Sequence, residues 1–174
     1  DVVEIRESDT LNPGFYFVDS IGFKSISFDK SLCKEPMKAS DGKISVLLVE
    51  PNKYPKMIEI DDTLEAMQAV VGGDIEEYMP FEDEVAIICN EEGKVNGLTP
   101  NRAVYEENSR EMLDIICGKF FVAYAPFEAE RFQSLPPDLA EKYREKFKYP
   151  ERFMRVNDEI VAVPFKPVRA DKER

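Results

Sequence analysis

The sequence contains no histidine, and this absence removes several kinds of chemistry. Serine and cysteine nucleophiles are commonly activated by an imidazole, so Ser-His-Asp and Cys-His catalysis are excluded. Zinc and iron sites depend largely on histidine and cysteine ligands, which makes such sites poor candidates as well. An enzyme of this composition is left with carboxylates and Mg²⁺ or Ca²⁺, or with lysine and tyrosine chemistry.

Cysteine is also scarce, with only Cys33, Cys89 and Cys117 in the chain. An odd number of widely spaced cysteines forms neither a disulfide framework nor a CxxC metal site. Cys89 and Cys117 close the apolar runs "VAIIC" and "DIIC", which predicts buried free thiols in strands. A catalytic thiolate would need a cationic activator, and no histidine is available to provide one.

Long apolar runs are absent too. No stretch of about 18 apolar residues occurs, so no membrane-spanning helix is predicted. The opening "DVVEIRESDT" lacks the basic start and apolar stretch of a signal peptide. Because the chain begins with Asp1 and closes on "VRADKER", we expect it to be a piece of a longer protein.

Apolar material is nevertheless plentiful, with 43% hydrophobic residues, 12 Phe and 7 Tyr. This composition favours a folded core over disorder. The length of 174 residues suits one domain, or one domain with an appendage.

Negative charge dominates, and it is concentrated in the middle of the chain. The net charge is −12, and residues 45–130 hold 19 acidic and 6 basic residues, a net of −13. Residues 1–44 carry a net of −2 and residues 131–174 a net of +3. Such an acidic block repels phosphate backbones, so direct nucleic-acid binding is not expected. It suits a basic protein surface or imitation of DNA, unless it serves only to solvate the protein.

Alternating and unbroken apolar patterns predict the strands. The run at 43–51 contains an unbroken Val/Leu stretch, which predicts a strand covered on both faces, and 56–61 should pair with it as a hairpin. The polar segment 101–114 is interpreted as a short helix or a loop. The other predicted elements are two short strands within 14–29 around "DSIG", a linker at 34–43, and strands at 74–81, 84–90, 115–125 with a bulge at Gly118, and 158–165.

Two helices are predicted, a short one ending at "GG" and a longer one ending at Pro150. Asp62 has capping-box spacing to Glu65 and is the predicted N-cap of the first. Ser134 is the predicted cap of the second. Together the elements predict an α+β fold: a small mixed or antiparallel sheet flanked by one short and one longer helix. Residues 1–44 are interpreted as an N-terminal β-hairpin annex and linker, and 45–174 as the core domain.

The stretch "CNEEGKVNGLTPNR" at 89–102 contains the candidate site. It reads as a hairpin turn in which Gly93 supplies a positive φ, followed by a second turn at Asn-Gly. Its Asn and Arg side chains either pin a loop against the acidic body or line a pocket or partner contact. No GxGxxG or Walker pattern supports phosphate binding. The candidate binding residues are Asn90, Gly93, Asn96, Gly97, Asn101 and Arg102.

Four pieces in one order, "VEP", "VGG", "CNEEGKVNGLTPNR" and "DIICGKFFV", resemble a known family. It is the bacterial and phage family catalogued as domain of unknown function 3846, and the resemblance covers about residues 45–147. It implies that the six candidate residues form a defining element of the family. It also implies a cytoplasmic setting in a bacterium and an origin in a phage or mobile element. It provides no catalytic residues.

These observations favour a non-enzymatic interaction module of a phage or mobile genetic element, whose acidic surface engages a protein partner. No cofactor, nucleic acid or membrane contact is expected, and the oligomeric state stays open. One alternative is a divalent-metal enzyme that uses the carboxylates of "EIDD" (59–62), "DIEE" (74–77) or "EDE" (82–84). The other is a structural accessory domain of a longer protein.

Overall fold

A computed structural model describes residues 2–5, 12–18, 22–26 and 42–167. The chain divides into two compact units, residues 1–38 and residues 39–174. Most of the linker predicted at 34–43, like Cys33, falls outside the described residues.

The first unit contains a three-stranded antiparallel sheet in the order β1-β2-β3. Its strands are β1 (Val2–Ile5), β2 (Gly14–Val18) and β3 (Phe23–Ile26). β2 and β3 are the two strands predicted around "DSIG", whereas β1 was not predicted. Tyr16 of β2 is buried, and its ring packs edge-on against that of Phe23, with 6.4 Å between the ring centroids.

The second unit is α+β, with two helices, and all its strand pairings among the described residues are antiparallel. This agrees with the predicted fold class. Neither helix is long and apolar enough to cross a membrane. The elements are β4 (Lys43–Val49), β5 (Lys56–Asp61), α1 (Leu64–Val71), β6 (Ile75–Tyr78), β7 (Val85–Asn90), β8 (Pro100–Tyr105), β9 (Met112–Cys117), β10 (Phe120–Tyr124), α2 (Pro137–Lys146), β11 (Glu151–Val156) and β12 (Glu159–Pro164).

A five-stranded sheet in the order β5-β4-β10-β7-β6 forms the centre of this unit. β4, β7 and β10 are almost entirely buried because successive side chains point to opposite faces and both faces are covered. One core cluster holds Phe120 of β10 with Tyr143 of α2. The other holds Phe121 of β10 with Met67 of α1. The strand predicted at 43–51 to be covered on both faces, β4, is therefore confirmed as such.

Two segments differ from their predicted structure. Residues 101–114 were predicted as a short helix or a loop, but 101–105 belong to strand β8 and 112–114 to strand β9, and only 106–111 form a loop between them. The predicted strand at 115–125 is two strands, β9 and β10, that belong to different sheets. Gly118 separates them with a φ of +81°, a conformation that glycine adopts at little cost, so it marks a break rather than a bulge.

Both predicted N-caps are wrong, although both helices exist. Thr63, not Asp62, caps α1 by accepting a hydrogen bond from the Ala66 N–H at 3.2 Å. α1 ends at left-handed Gly72, as predicted. Ser134 does not cap α2; its Oγ accepts from the Ser45 N–H at 3.0 Å and ties the approach to α2 onto β4.

The α2 helix stops at Lys146 and leads into a hairpin of which only the second strand was predicted. β11 and β12 pair directly across a two-residue turn. Asn157 and Asp158 have φ values of 48° and 67°, the left-handed conformation that a tight hairpin turn of this type requires. The "VNDE" sequence was the available signal for β11, since Asn and Asp tolerate this conformation better than most residues.

Candidate functional site

Arg102 is one of the most deeply buried side chains of the protein, with 1% of its surface exposed. Its guanidinium donates hydrogen bonds to two segments that are distant in sequence and to the neighbouring Asn101. Nε donates to the Phe147 carbonyl at 3.0 Å, and Nη2 to the Lys53 carbonyl at 2.8 Å. Nη1 donates to both the backbone and the side-chain oxygen of Asn101, at 3.1 and 2.7 Å. One side chain thus joins β8, the β4–β5 turn and the end of α2.

Asn101 is equally buried and completes this network. Its Nδ2 donates to the Val49 carbonyl at 3.0 Å and to the Gly118 carbonyl at 2.7 Å. The amide therefore holds β8 against the end of β4 and against the break between β9 and β10. These contacts support the structural reading of Asn101 and Arg102, in which they pin the chain.

The charge of Arg102 is tolerated because oxygen atoms surround it. Burial lowers its pKa to about 10, while the nearby Glu151 carboxylate acts in the opposite direction. The side chain therefore stays a cation at neutral pH. It lies at the C-terminal end of α2, where the helix dipole is negative. Glu151 accepts a hydrogen bond from the Ala103 N–H at 2.6 Å, and burial raises its pKa.

Asn90 has a separate set of partners. Its Nδ2 donates to the Gly72 carbonyl at 3.1 Å, and its Oδ1 accepts from the Glu92 N–H at 2.9 Å. It links the end of α1 to the turn that follows β7. Asn96 is exposed on that turn, and its Nδ2 donates to the Glu92 carboxylate at 3.2 Å. Among the side chains of the six candidate residues, hydrogen bonds join only those of Asn101 and Arg102. The Gly93 N–H also donates to the Asn90 carbonyl at 3.1 Å.

The two glycines of this turn have different roles, and the positive φ predicted for Gly93 is wrong. Gly97 has the positive φ, at 66°, whereas Gly93 is not among the residues with positive φ. Gly93 is required for space, because a Cβ there would lie 2.9 Å from the Cys117 carbonyl oxygen and 3.2 Å from that of Asn90. Both obstacles are backbone atoms, which cannot rotate away.

We expect Gly93→Ala to lower the free energy of unfolding by about 1 to 3 kcal/mol, the cost of overpacking a rigid site. Gly93→Asn should cost at least as much. Gly97→Asn should cost well under 1 kcal/mol, because asparagine tolerates a left-handed φ. Urea unfolding of the three variants would check this. If Asn were tolerated at position 93 as well as at position 97, backbone conformation rather than space would be the reason for Gly93.

The two described thiols are free. Burial, followed by the Glu76 carboxylate, raises the pKa of Cys89 to about 11. Burial also raises the pKa of Cys117. The nearest cation, Lys94, is engaged by Asp114 at 2.5 Å. Both thiols are therefore protonated at neutral pH, which is the opposite of what a nucleophile requires.

The carboxylate runs do not converge on a common point. Within the described residues, no group of three or more cysteine or carboxylate side chains is arranged to hold a metal ion. Instead, several of these carboxylates have internal partners. Asp62 pairs with Arg131 at 3.2 Å, and Asp83 accepts hydrogen bonds from Lys142 and Tyr143.

A groove of about 640 Å³ lies between the start of α1, the edge strand β6 and residues 125–132. Sequence reasoning missed it. Its lining is mostly apolar and includes three large exposed apolar residues, of which Phe127 is 78% exposed. The apolar lining residues are Leu64, Met67, Ile75, Met79, Ala125, Pro126, Phe127, Ala129 and Phe132.

Acidic side chains line the same groove. Glu65, Glu77 and Glu130 are exposed and come from its three different walls. The cation at the groove, Arg131, is engaged by Asp62. Apolar surface surrounded by unneutralised carboxylates is suited to a ligand with both apolar and cationic groups.

Part of this groove was visible in the sequence. The strand predicted at 74–81 contains β6, and Ile75 and Glu77 of that strand line the groove together with Met79, which follows it. The contribution of residues 125–132 was not foreseen, because nothing in a single sequence brings that segment beside α1, about 60 positions earlier.

The fold and the groove thus define an α+β domain built on an antiparallel sheet, with an acidic apolar groove on one face. The model of the family described as a domain of unknown function (DUF3846) matches residues 44–148. This is more than half of the chain, and the chain belongs to that family. The resemblance predicted for about residues 45–147 is confirmed. No curated protein and no solved structure matched the chain.

Proposed function

We propose that the protein is a non-enzymatic interaction module and that the groove beside α1 binds a basic, amphipathic segment of a protein partner. The observation that carries this proposal is the combination of exposed apolar side chains, such as Phe127, with Glu65, Glu77 and Glu130 in one groove. An apolar side chain buried there would contribute roughly 1.5 to 3 kcal/mol. Lysine or arginine side chains beside it would select the partner by charge.

The surrounding charge supports a protein partner over a nucleic acid. The block 45–130 has a net charge of −13, and the groove lies almost wholly within it. A phosphate backbone would be repelled at this surface, whereas a basic protein would be attracted from a distance. We place this module in the cytoplasm of a bacterium, as the product of a phage or mobile element, and assign it no cofactor.

Internal contacts weigh against the alternative enzyme. The described thiols have raised pKa values, and Asp62 and Asp83 are engaged by side chains of the protein itself. A structural accessory role explains the buried Asn101–Arg102 network but leaves the groove without a purpose. We therefore keep the interaction module as the proposed function.

The test uses a synthetic helical peptide with leucines on one face and lysines on the other, and a matched peptide with glutamate in place of lysine. Fluorescence anisotropy at low and high salt measures the affinity of the protein for each peptide. We expect the lysine peptide to bind, with an affinity that falls as salt screens the carboxylates. We expect the glutamate peptide not to bind.

Charge-reversal variants locate the binding surface. Glu65→Lys combined with Glu77→Lys should weaken binding of the lysine peptide at least about tenfold, since two favourable pairs become repulsive. Glu59→Lys combined with Glu91→Lys makes the same change in net charge at exposed positions outside the groove, and should change affinity less than about threefold. Equal loss in both variants would mean that net charge alone attracts the peptide. No binding by the unaltered protein would also contradict the proposal.

A further inference from the structure

The β11–β12 hairpin presents an apolar face that the rest of the described chain leaves uncovered. In its register, Arg152 pairs with Val163, Met154 with Val161, and Val156 with Glu159. Side chains of directly paired residues lie on the same face of a ribbon, so these six form one face. All six are exposed, and the four apolar ones retain 38% to 50% of their accessible surface.

The opposite face of the hairpin is different. Of its six residues, Glu151, Phe153 and Ala162 are partly buried, and Glu151 accepts the hydrogen bond from β8. The other three, Arg155, Ile160 and Pro164, are exposed. Only this face has partly buried residues, so the hairpin rests on the domain through part of one face. A two-stranded ribbon with one uncovered apolar face is marginal in water, and such patches commonly mark an interface.

The charges on the uncovered face form a self-complementary pattern. Arg152 lies at the base of the hairpin and Glu159 at its tip. If two such faces pack with their strands in opposite directions, each Arg152 approaches the partner copy's Glu159 while the apolar residues meet between them. Arg152 already lies 4.8 Å above the Phe165 ring, which holds it at that base.

Electrostatic repulsion also favours this location for contact between copies. A two-fold interface brings identical surfaces together, so a protein of net charge −12 is repelled from itself across its acidic block. Residues 151–164 hold three acidic and two basic side chains and are nearly balanced. The groove proposed above lies elsewhere, so this inference does not depend on it.

We propose that the uncovered face of the β11–β12 hairpin is a homodimer interface, closed by Arg152 of each copy against Glu159 of the other. The face is small, and interfaces of low area are weak. The dimer should therefore form in the range of about 10 to 100 µM. Its mass would be twice the 20.0 kDa of the chain.

Sedimentation velocity of the full chain across a concentration series tests this. Val161→Glu should weaken dimerisation at least about tenfold, because it buries a charge in the interface. Ile160→Glu is the matched control, because it introduces the same charge on the same strand but on the opposite face, at a residue that is 50% exposed against 39% for Val161. It should change the dissociation constant less than about threefold. A chain that stays monomeric at about 200 µM, or equal loss in both variants, would overturn the proposal.

A charge exchange tests the pairing itself. Arg152→Glu alone should weaken the dimer, and adding Glu159→Arg in the same chain should restore it, since the two ion pairs re-form with reversed polarity. If the double variant is no better than the single one, the copies do not pair as proposed. If Glu65→Lys with Glu77→Lys abolishes dimerisation, the hairpin binds the groove of another copy, and the proposed face-to-face interface is wrong.

Discussion

Replacing Arg102 with methionine is expected to lower the free energy of unfolding by about 3 to 5 kcal/mol. Methionine fills much of the volume but donates no hydrogen bonds. The Lys53 and Phe147 carbonyls and the Asn101 side-chain oxygen would then lose their donors inside the protein. Leaving a buried acceptor unsatisfied costs about 1 to 3 kcal/mol.

Two further variants show whether the loss comes from the hydrogen-bond geometry of Arg102, from its charge, or from the removal of any arginine. Arg102→Lys keeps the charge but cannot reproduce a planar fork that reaches three segments, so it should recover less than half of the loss. Arg144→Met removes an arginine from the exposed side of α2, where the pair with Glu141 at 3.4 Å is worth a few tenths of a kcal/mol. Urea unfolding measures all three. A loss below about 1 kcal/mol in Arg102→Met would show that the network contributes little.

Replacing Tyr143 with alanine should cost a similar amount, about 3 to 5 kcal/mol, for a different reason. Its ring is completely buried, with centroids 5.0 Å from Phe81 and 6.3 Å from Phe147. Alanine would leave a cavity between α2 and the sheet. Tyr143→Phe keeps the ring and should cost only about 1 kcal/mol, because it removes one hydrogen bond to Asp83. Similar losses in both variants would contradict the packing explanation.

Asp83, the partner of that hydroxyl group, makes the same region sensitive to acid. Hydrogen bonds from Lys142 and Tyr143 hold the pKa of Asp83 below its ordinary value of 3.8. The charged form is thus favoured in the folded state. The resulting stability is fully present above about pH 4 and is lost as the pH falls through the folded-state pKa. Thermal unfolding of Asp83→Asn should therefore show a shallower loss of stability below about pH 4 than the unaltered protein.

Local patterns predicted the strands of the central sheet well, because apolar runs such as Val85–Asn90 report burial directly. They failed at 101–105, where Asn101 and Arg102 made the buried strand β8 look polar. Polar side chains normally indicate exposure to solvent. Here Asn101 and Arg102 are buried because they donate hydrogen bonds to the carbonyl groups of Lys53, Val49 and Phe147. Those partners are 45 or more residues away, so no local window contains them.

The candidate site divides in the same way. The segment containing Asn90, Gly93 and Gly97 was correctly recognised as a turn, since glycine and asparagine report backbone geometry. The sequence does not show that Gly97 needs a positive φ while Gly93 needs space. The need for space at Gly93 comes from the Cys117 carbonyl, whose position is set by the tertiary structure. The groove depends on tertiary packing to a greater degree, because α1 and the segment containing Phe127 meet only in the folded chain.

The order of strands in the central sheet has a consequence for synthesis on the ribosome. β10 lies between β4 and β7, yet it is the last of the five strands in the chain. A nascent chain that has emerged only as far as Asn90 can form the β4–β5 and β6–β7 hairpins, but these hairpins share no edge. Until Phe120–Tyr124 leaves the exit tunnel, the apolar edges of β4 and β7 have no partner. The nascent protein therefore carries two incomplete half-sheets for about 30 residues of elongation, the interval in which chaperones would protect it.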